Sequence, residues 1–98
     1  MRRAARVDGN HAAIVEALQK AGWLVQSLAA VGNGVPDLLV CSPDGELRVI
    51  EVKDGSKPPS KRELTTEQLA WHWRWRRARV RVVTSAEDAL TQLGVQTR

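Results

Sequence analysis

"VPDLLVCSPDGELRVIEVKDG", residues 35–55, is the stretch that decides the fold. It predicts two short strands joined by the three-residue turn Pro43-Asp44-Gly45, because proline suits the first turn position and glycine suits the left-handed residue that closes such loops. With Asp44 at the centre, residues whose numbers sum to 88 face each other, so Asp37 lies opposite Glu51. The hairpin therefore predicts two carboxylates directly opposed across neighbouring strands.

The second strand also carries Lys53, two positions after Glu51. The two-residue period of a strand places both side chains on one face. A cross-strand salt bridge or a solvated sheet face is the alternative for an isolated pair of this kind. Opposed carboxylates, however, are destabilising on a structural sheet, whereas Mg²⁺ and Mn²⁺ prefer hard oxygen ligands. The pattern indicates metal-assisted phosphodiester hydrolysis, with Lys53 holding the scissile phosphate or a water molecule.

Length and composition favour one globular domain. The chain has 98 residues, of which 43% are hydrophobic, and it has no apolar stretch long enough to span a membrane. The first ten residues lack the apolar segment of a signal peptide, and the single Cys41 permits neither an internal disulfide nor a cysteine-based metal cage. We expect a cytoplasmic protein with no membrane contact and no small-molecule cofactor, comprising a flexible basic arm over residues 1–9 and one domain over residues 10–98.

Positive charge is concentrated in one part of the chain. Residues 53–81 contain nine Lys or Arg against three acids, whereas the net charge of the whole chain is only +4. Such segregation suits a polyanion, and we predict DNA as the partner. The alternative is a solvated basic helix end. The candidate DNA contacts are Lys57, Lys61, Arg62, Arg74, Arg76 and Arg77.

The rest of the pattern predicts the element order α-β-β-β-α-β-α. Asn10 is the predicted cap of the first helix, and the "WLVQSLA" segment is the first strand. Residues 54–64, rich in proline and lysine, are predicted to lack regular structure. They lead into a second helix, "TTEQLAWHWRWRR", which is followed by the strand "VRVVTS" and the helix "SAEDALTQLG".

The second helix has two distinct faces. Gln68, Trp71 and Trp75 share the face predicted to pack on the sheet, so both tryptophans are predicted core residues. Leu69 and Trp73 fall on the opposite side. An exposed tryptophan beside a leucine suggests a partner surface, either for a second copy of the chain or for stacked DNA bases.

The motif "VPDLLV" followed by "IEVK" resembles the signature of the PD-(D/E)XK nuclease superfamily. The glycine-rich loop before "GVPDLLV" and the "LTTEQ" that opens the next helix resemble the virus-type replication-repair nuclease (VRR-Nuc) domains, in particular the small stand-alone proteins of phages and bacteria. The resemblance implies a restriction-endonuclease-like α/β core, in which a mixed sheet with an antiparallel catalytic hairpin is flanked by helices.

The resemblance also implies a site and an activity. Asp37, Glu51 and the backbone carbonyl of Val52 would bind Mg²⁺ or Mn²⁺, and Lys53 and Gln68 would complete the catalytic set. The implied activity is that of an endodeoxyribonuclease acting as a homodimer on branched, Holliday-junction-like DNA. The alternative is a module with a nuclease fold that binds DNA or recruits a partner without cleaving.

The first helix departs from the family pattern, which often has a glutamate early in that helix. His11 occupies that position, and Glu16 is the one acid within the helix. Both are candidate contributors to the site, with a capping or surface histidine and a solvated glutamate as the alternatives. Asp8, in the arm, is a third candidate.

Overall fold

A computed structural model describes residues 9–95, so the predicted arm, apart from Gly9, lies outside the described residues. The elements follow the predicted order α-β-β-β-α-β-α: α1 (His11–Lys20), β1 (Leu24–Ser27), β2 (Leu38–Cys41), β3 (Leu47–Val52), α2 (Thr66–Arg74), β4 (Arg81–Val83) and α3 (Ala86–Gln92). Within residues 9–95, none of the helices combines the length and the apolarity needed to cross a bilayer.

The four strands form one mixed sheet in the order β1-β2-β3-β4. Strand β2 pairs antiparallel with both β1 and β3, whereas β4 joins β3 in parallel, which requires the long crossover that contains α2. Leu38 faces Ile50 and Val40 faces Arg48, so the predicted hairpin register is confirmed. The same register, continued by one residue, brings Asp37 opposite Glu51.

The hydrophobic core lies on one face of the sheet, beneath α1 and α3. Ile14 and Leu18, spaced by one helical turn, meet alternate strand residues, because a strand turns every second side chain to the same face. The core comprises Ile14, Leu18, Trp23, Leu38, Val40, Ile50, Val52, Val83 and Ala89. Asp37, Glu51 and Lys53 therefore face the other side of the sheet, where α2 lies.

Three local predictions were wrong. The proline-rich loop contains a short 3-10 helix, Pro59–Lys61, in which the Arg62 amide donates to the Pro59 carbonyl at 3.0 Å. Helix α2 ends at Arg74 and gives way to a second 3-10 turn, Arg76–Ala78. Neither tryptophan of the predicted core is a core residue. Trp75 lies beyond the helix, where the 100° helical wheel no longer applies, and is 51% exposed, whereas Trp71 lies within α2 but is only half-buried and outside the core.

Candidate active site

The side-chain amide of Gln68 joins the two charged residues of β3. Its Nε2 donates to Glu51 Oε2 at 3.1 Å, and its Oε1 accepts from Lys53 Nζ at 2.9 Å. Glu51 is only 1% exposed, so the contact takes place largely out of water, where hydrogen bonds to charged groups are strong. The structure therefore brings together three of the four predicted catalytic residues through direct hydrogen bonds.

Gln68 also fixes the start of α2. Its backbone amide donates to Thr65 Oγ1 at 3.1 Å, and its side-chain Oε1 accepts from the Thr65 amide at 2.9 Å, which together form a capping box. Thr65, the first of the two threonines in "LTTEQ", is thus the cap of α2. The Thr-x-x-Gln spacing of "LTTEQ" has a physical basis, because the same glutamine completes the capping box of α2 and hydrogen-bonds to Glu51 and Lys53.

Asp37, the fourth predicted catalytic residue, immediately precedes β2. Its Oδ2 accepts from the Val52 amide at 2.7 Å, and its backbone carbonyl accepts from the Leu28 amide at 2.7 Å. The first contact holds the carboxylate against β3, at the residue that follows Glu51. The predicted opposition of the two acids across the hairpin agrees with this geometry.

His72 is a site residue that the sequence prediction missed. Its Nε2 lies 3.8 Å from Glu51 Oε1, beyond hydrogen-bond distance, and the side chain is 16% exposed. Burial, and secondly the positive charge of Lys53, lower the pKa of His72, so the ring is neutral near pH 7 and the contact is not an ion pair. The sequence could have indicated His72 as a site residue, because it lies one helical turn after Gln68 and therefore on the same side of α2.

The glycine of "GVPD" has a specific steric role. Gly34 has a φ of +81°, and a Cβ added there would lie 2.2 Å from the Glu67 carbonyl oxygen. Only glycine permits the loop before β2 to approach the first turn of α2 this closely. Gly34 thereby determines how near the helix carrying Gln68 lies to the strand carrying Asp37.

Within residues 9–95, the first-helix candidates make no hydrogen bond to Lys53, Gln68 or Asp37. The carboxylate of Glu16 is exposed and lies 3.8 Å from Lys20 Nζ on the same helix. His11 is half-buried at the start of α1, and its Nδ1 is buried with no hydrogen-bond partner among residues 9–95. Asp8 lies outside the described residues.

The candidate DNA contacts form two groups on either side of α2. Lys57 and Lys61 are exposed in the loop after β3, where the Arg62 Nε donates to the Lys57 carbonyl at 2.8 Å. Beyond α2, Arg76 is held over the Trp73 ring at 4.3 Å and donates to the Trp73 carbonyl. Of the other two candidates, Arg74 is the last residue of α2 and Arg77 lies in the 3-10 turn, and both are exposed.

Comparison with solved structures finds the same fold in a chain described as "VRR_NUC domain". The two agree with a TM-score of 0.65 and 32% sequence identity, over 89% of this chain and 92% of that one. This chain belongs to the VRR-Nuc family. The VRR-Nuc assignment and the mixed α/β fold predicted from the sequence are both confirmed. Comparisons with protein-family models and with curated proteins find no match.

The residues of this VRR-Nuc domain fit the divalent metal ion that the family implies. Asp37 and Glu51 offer carboxylate oxygens, and Val52, whose amide donates to Asp37 at 2.7 Å, has a backbone carbonyl oxygen to add. Oxygens of this kind are the hard ligands that Mg²⁺ and Mn²⁺ prefer. A carboxylate as buried as that of Glu51 also favours a nearby positive charge. Within residues 9–95, no three His, Cys, Asp or Glu side chains converge on a common point, so the fit depends on two carboxylates and a carbonyl.

Asn10 has a different role in this VRR-Nuc domain from the predicted helix cap. It precedes α1 but makes no side-chain capping hydrogen bond. Its Nδ2 instead donates to the Lys53 carbonyl at 3.1 Å and to the Thr84 carbonyl at 2.7 Å. Asn10 thereby joins the ends of β3 and β4 at the residue that supplies the site ammonium group.

Replacing Asn10 distinguishes these two roles. Asn10→Ala should lower the free energy of unfolding by about 1–3 kcal/mol, since two carbonyls lose a buried donor. Asn10→Asp should be at least as damaging, because a carboxylate facing two carbonyl oxygens repels them. Asn and Asp are equally good helix caps, so an Asn10→Asp variant as stable as the parent would restore the capping role. Urea unfolding followed by tryptophan fluorescence measures both variants.

Proposed function

We propose that this domain is a Mg²⁺- or Mn²⁺-dependent endodeoxyribonuclease that cleaves branched DNA as a homodimer. The observation that carries the proposal is the Glu51–Gln68–Lys53 network, in which one amide holds a buried carboxylate and an ammonium group side by side. A sheet stabilised only by packing gains little from that arrangement, because the desolvation of charged groups is costly. Hydrolysis of a phosphodiester needs both charges in one place.

Asp37, Glu51 and the Val52 carbonyl would hold the metal ion. When bound, the ion supplies activation of water and offsets the charge that develops on phosphorus. Lys53 would contact a non-bridging phosphate oxygen, since an ammonium group donates hydrogen bonds and cannot be a metal ligand. Gln68 would keep Lys53 and Glu51 at a fixed separation, so the phosphate and the attacking water would meet in a prearranged geometry.

The charge and exposure of the surface support a nucleic-acid substrate and a dimer. Along the chain, the basic loop follows Lys53 and the arginines follow the helix that carries Gln68, so we place the phosphate backbone along these two segments. Leu69 and Trp73, on the side of α2 away from the sheet, are 56% and 69% exposed and offer an apolar contact for a second copy. Two copies would bring two sites to one branched substrate, and light scattering of the purified chain gives the oligomeric state directly.

The test is a cleavage assay with linear, nicked, flapped and four-way DNA, each incubated with Mg²⁺, with Mn²⁺ and with EDTA. We expect cleavage of the branched substrates with either metal and none with EDTA. DNA binding without cleavage under any metal condition would instead support the non-cleaving module. Equal cleavage of linear and branched DNA would contradict the structural selectivity alone.

Binding to DNA should depend strongly on salt through the loop after β3. Replacing Lys57, Lys61 and Arg62 by alanine should flatten the log–log salt slope of duplex binding by about two to three units, since each neutralised phosphate contributes about 0.9. Affinity should fall alike for all sequences, because phosphate contacts carry no base information. Fluorescence anisotropy across a salt series, with Glu51→Gln in every variant to prevent cleavage, measures the slope.

Lys20→Ala provides the control, since it removes one exposed positive charge from α1. Its slope should match that of the parent. An unchanged slope in the triple variant would place the DNA path elsewhere, and the arginines of the N-terminal arm, Arg2, Arg3 and Arg6, would then be the next residues to replace.

A further inference from the structure

A groove of about 550 Å³ lies beside the site, on the same face of the sheet. Its floor is apolar and consists of Leu39, Leu47 and Val49, and its wall contains Trp71 and Trp75. The two indole rings are stacked, with centroids 5.1 Å apart and an interplanar angle of 9°. We call this space the tryptophan groove. None of these residues belongs to the proposed catalytic set.

The tryptophan groove begins close to the reacting centre. Val49 and Glu51 lie on the same face of β3, two residues apart, which is about 7 Å along a strand. Trp71 directly precedes His72, whose Nε2 contacts the Glu51 carboxylate. A DNA strand with its scissile phosphate at Lys53 would therefore extend into the groove within a short distance.

The rim of the groove carries only positive charge. Two arginines from the segment after α2 line it, Arg77 and Arg79, and no acidic residue of the described chain does. Arg48 and Arg81 also border the groove, although their side chains leave the opposite face of the sheet, because they pair with Val40 and Ile50. Arg48 is partly neutralised by Glu46 at 3.3 Å, whereas residues 9–95 contain no ion pair to the other three. An apolar floor with a cationic rim complements a base attached to a phosphate backbone.

The charge of the rim argues against a second copy of the chain in this groove. In a two-fold dimer the same patch meets itself, so Arg77 and Arg79 of one copy would face the same arginines of the other. Like charges across an interface cost several kcal/mol. Paired duplex DNA is also a poor occupant, because its bases are stacked inside the helix and expose only their edges.

We propose that the tryptophan groove binds an unpaired nucleotide of the DNA substrate, with the base against Trp71 and Trp75 and the neighbouring phosphates on the arginines. The proposal rests on the proposed nuclease function and narrows its substrate class to DNA with a single-stranded segment beside the scissile phosphate. A stacked base needs an aromatic face and no particular sequence. Selection would therefore follow the unpaired state of the strand.

Arg79 gives independent support. It adopts a left-handed backbone conformation, with φ 53° and ψ 56°, directly after the 3-10 turn Arg76–Ala78. Glycine is the residue usually found at such a position, because a side chain there is strained. An arginine that lines the groove at a position suited to glycine is consistent with a ligand contact.

The test is the binding of a short fluorescent oligothymidylate and of a blunt duplex, both in EDTA. Trp75→Ala should weaken oligothymidylate binding about tenfold, the contribution of one base–aromatic stack, and should leave duplex binding nearly unchanged. Trp75→Phe should restore most of the loss. Arg79→Gly should weaken oligothymidylate binding, while its melting temperature should equal or exceed that of the parent. An oligonucleotide of abasic residues should not distinguish Trp75→Ala from the parent.

Leu24→Ala is the control, since Leu24 is 73% exposed on β1 and does not line the groove. Equal losses for Leu24→Ala and Trp75→Ala, or a loss on duplex as large as on oligothymidylate, would overturn the proposal. So would a dimer that Trp75→Ala dissociates without affecting oligothymidylate binding. Because these measurements involve no cleavage, a failed cleavage assay with intact groove binding would reject the nuclease function separately.

Discussion

Glu51→Gln should reduce cleavage by about a hundredfold to a thousandfold and leave the domain folded. The amide keeps an oxygen that can accept the Gln68 hydrogen bond, but it lacks the negative charge that would hold a cation, and the loss of one electrostatic group in an active site costs about 10²–10³ in kcat. In EDTA the variant should melt no lower than the parent. Glu51 is 1% exposed, and an uncharged side chain is easier to bury.

Glu46→Gln is the control for this change. It is the same isosteric loss of charge at an exposed position, where Glu46 faces Arg48 at 3.3 Å. Exposed pairs contribute about 0–1 kcal/mol, so both stability and single-turnover cleavage should remain close to those of the parent. A Glu51→Gln variant that unfolds, or that cleaves at the parental rate, would give Glu51 a structural role instead of the proposed catalytic one.

Gly34→Ala should produce the largest loss of stability and activity together. The added Cβ would lie 2.2 Å from the Glu67 carbonyl oxygen, so the first turn of α2 must move away. That turn carries Gln68, and a displacement of about 1 Å in an active site can reduce the rate about 10²-fold. The left-handed backbone, with φ +81°, adds about 1–2 kcal/mol of strain for any residue with a side chain.

Gly32→Ala separates the clash from the strain. Gly32 also has a left-handed backbone, with φ +73°, but an added Cβ there would have nothing within 4 Å. It should lose only the conformational term and should cleave normally once folded. The difference in unfolding free energy between the two variants therefore measures the close approach at Glu67. Equal effects in both variants would show that the loop does not position α2.

The fold was largely predictable because the sequence specifies its most constrained part. The turn Pro43-Asp44-Gly45 sets the register of β2 and β3, and the confirmed Leu38–Ile50 pair follows from it. Helix α2 was less predictable at its end. The wheel that placed Trp75 in the core assumes a continuous helix, whereas the chain changes to a 3-10 turn, and single-sequence periodicity does not indicate where such a change occurs.

The site residues that belong to short sequence motifs were predictable, whereas contacts between residues far apart in the sequence were less so. Glu51, Lys53 and Gln68 were identified from short motifs, and the structure joins them by hydrogen bonds. His72 was missed because its contact with Glu51 depends on how α2 lies across the sheet. Asn10 was predicted to cap α1, because capping preferences consider only neighbouring residues. Its hydrogen-bond partners are instead 43 and 74 residues away in the sequence.

The double attachment of Gln68 has an evolutionary consequence. Substituting it would loosen the capping box with Thr65 as well as the network with Lys53 and Glu51, so selection for a folded helix would retain it even in a descendant that no longer cut DNA. Its presence in a relative is therefore a weak indicator of activity. The side chain of Lys53 has no comparable structural role, because its hydrogen bond within residues 9–95 goes to Gln68 alone. Loss of Lys53 in a relative would therefore be the better sign that the relative does not cleave DNA.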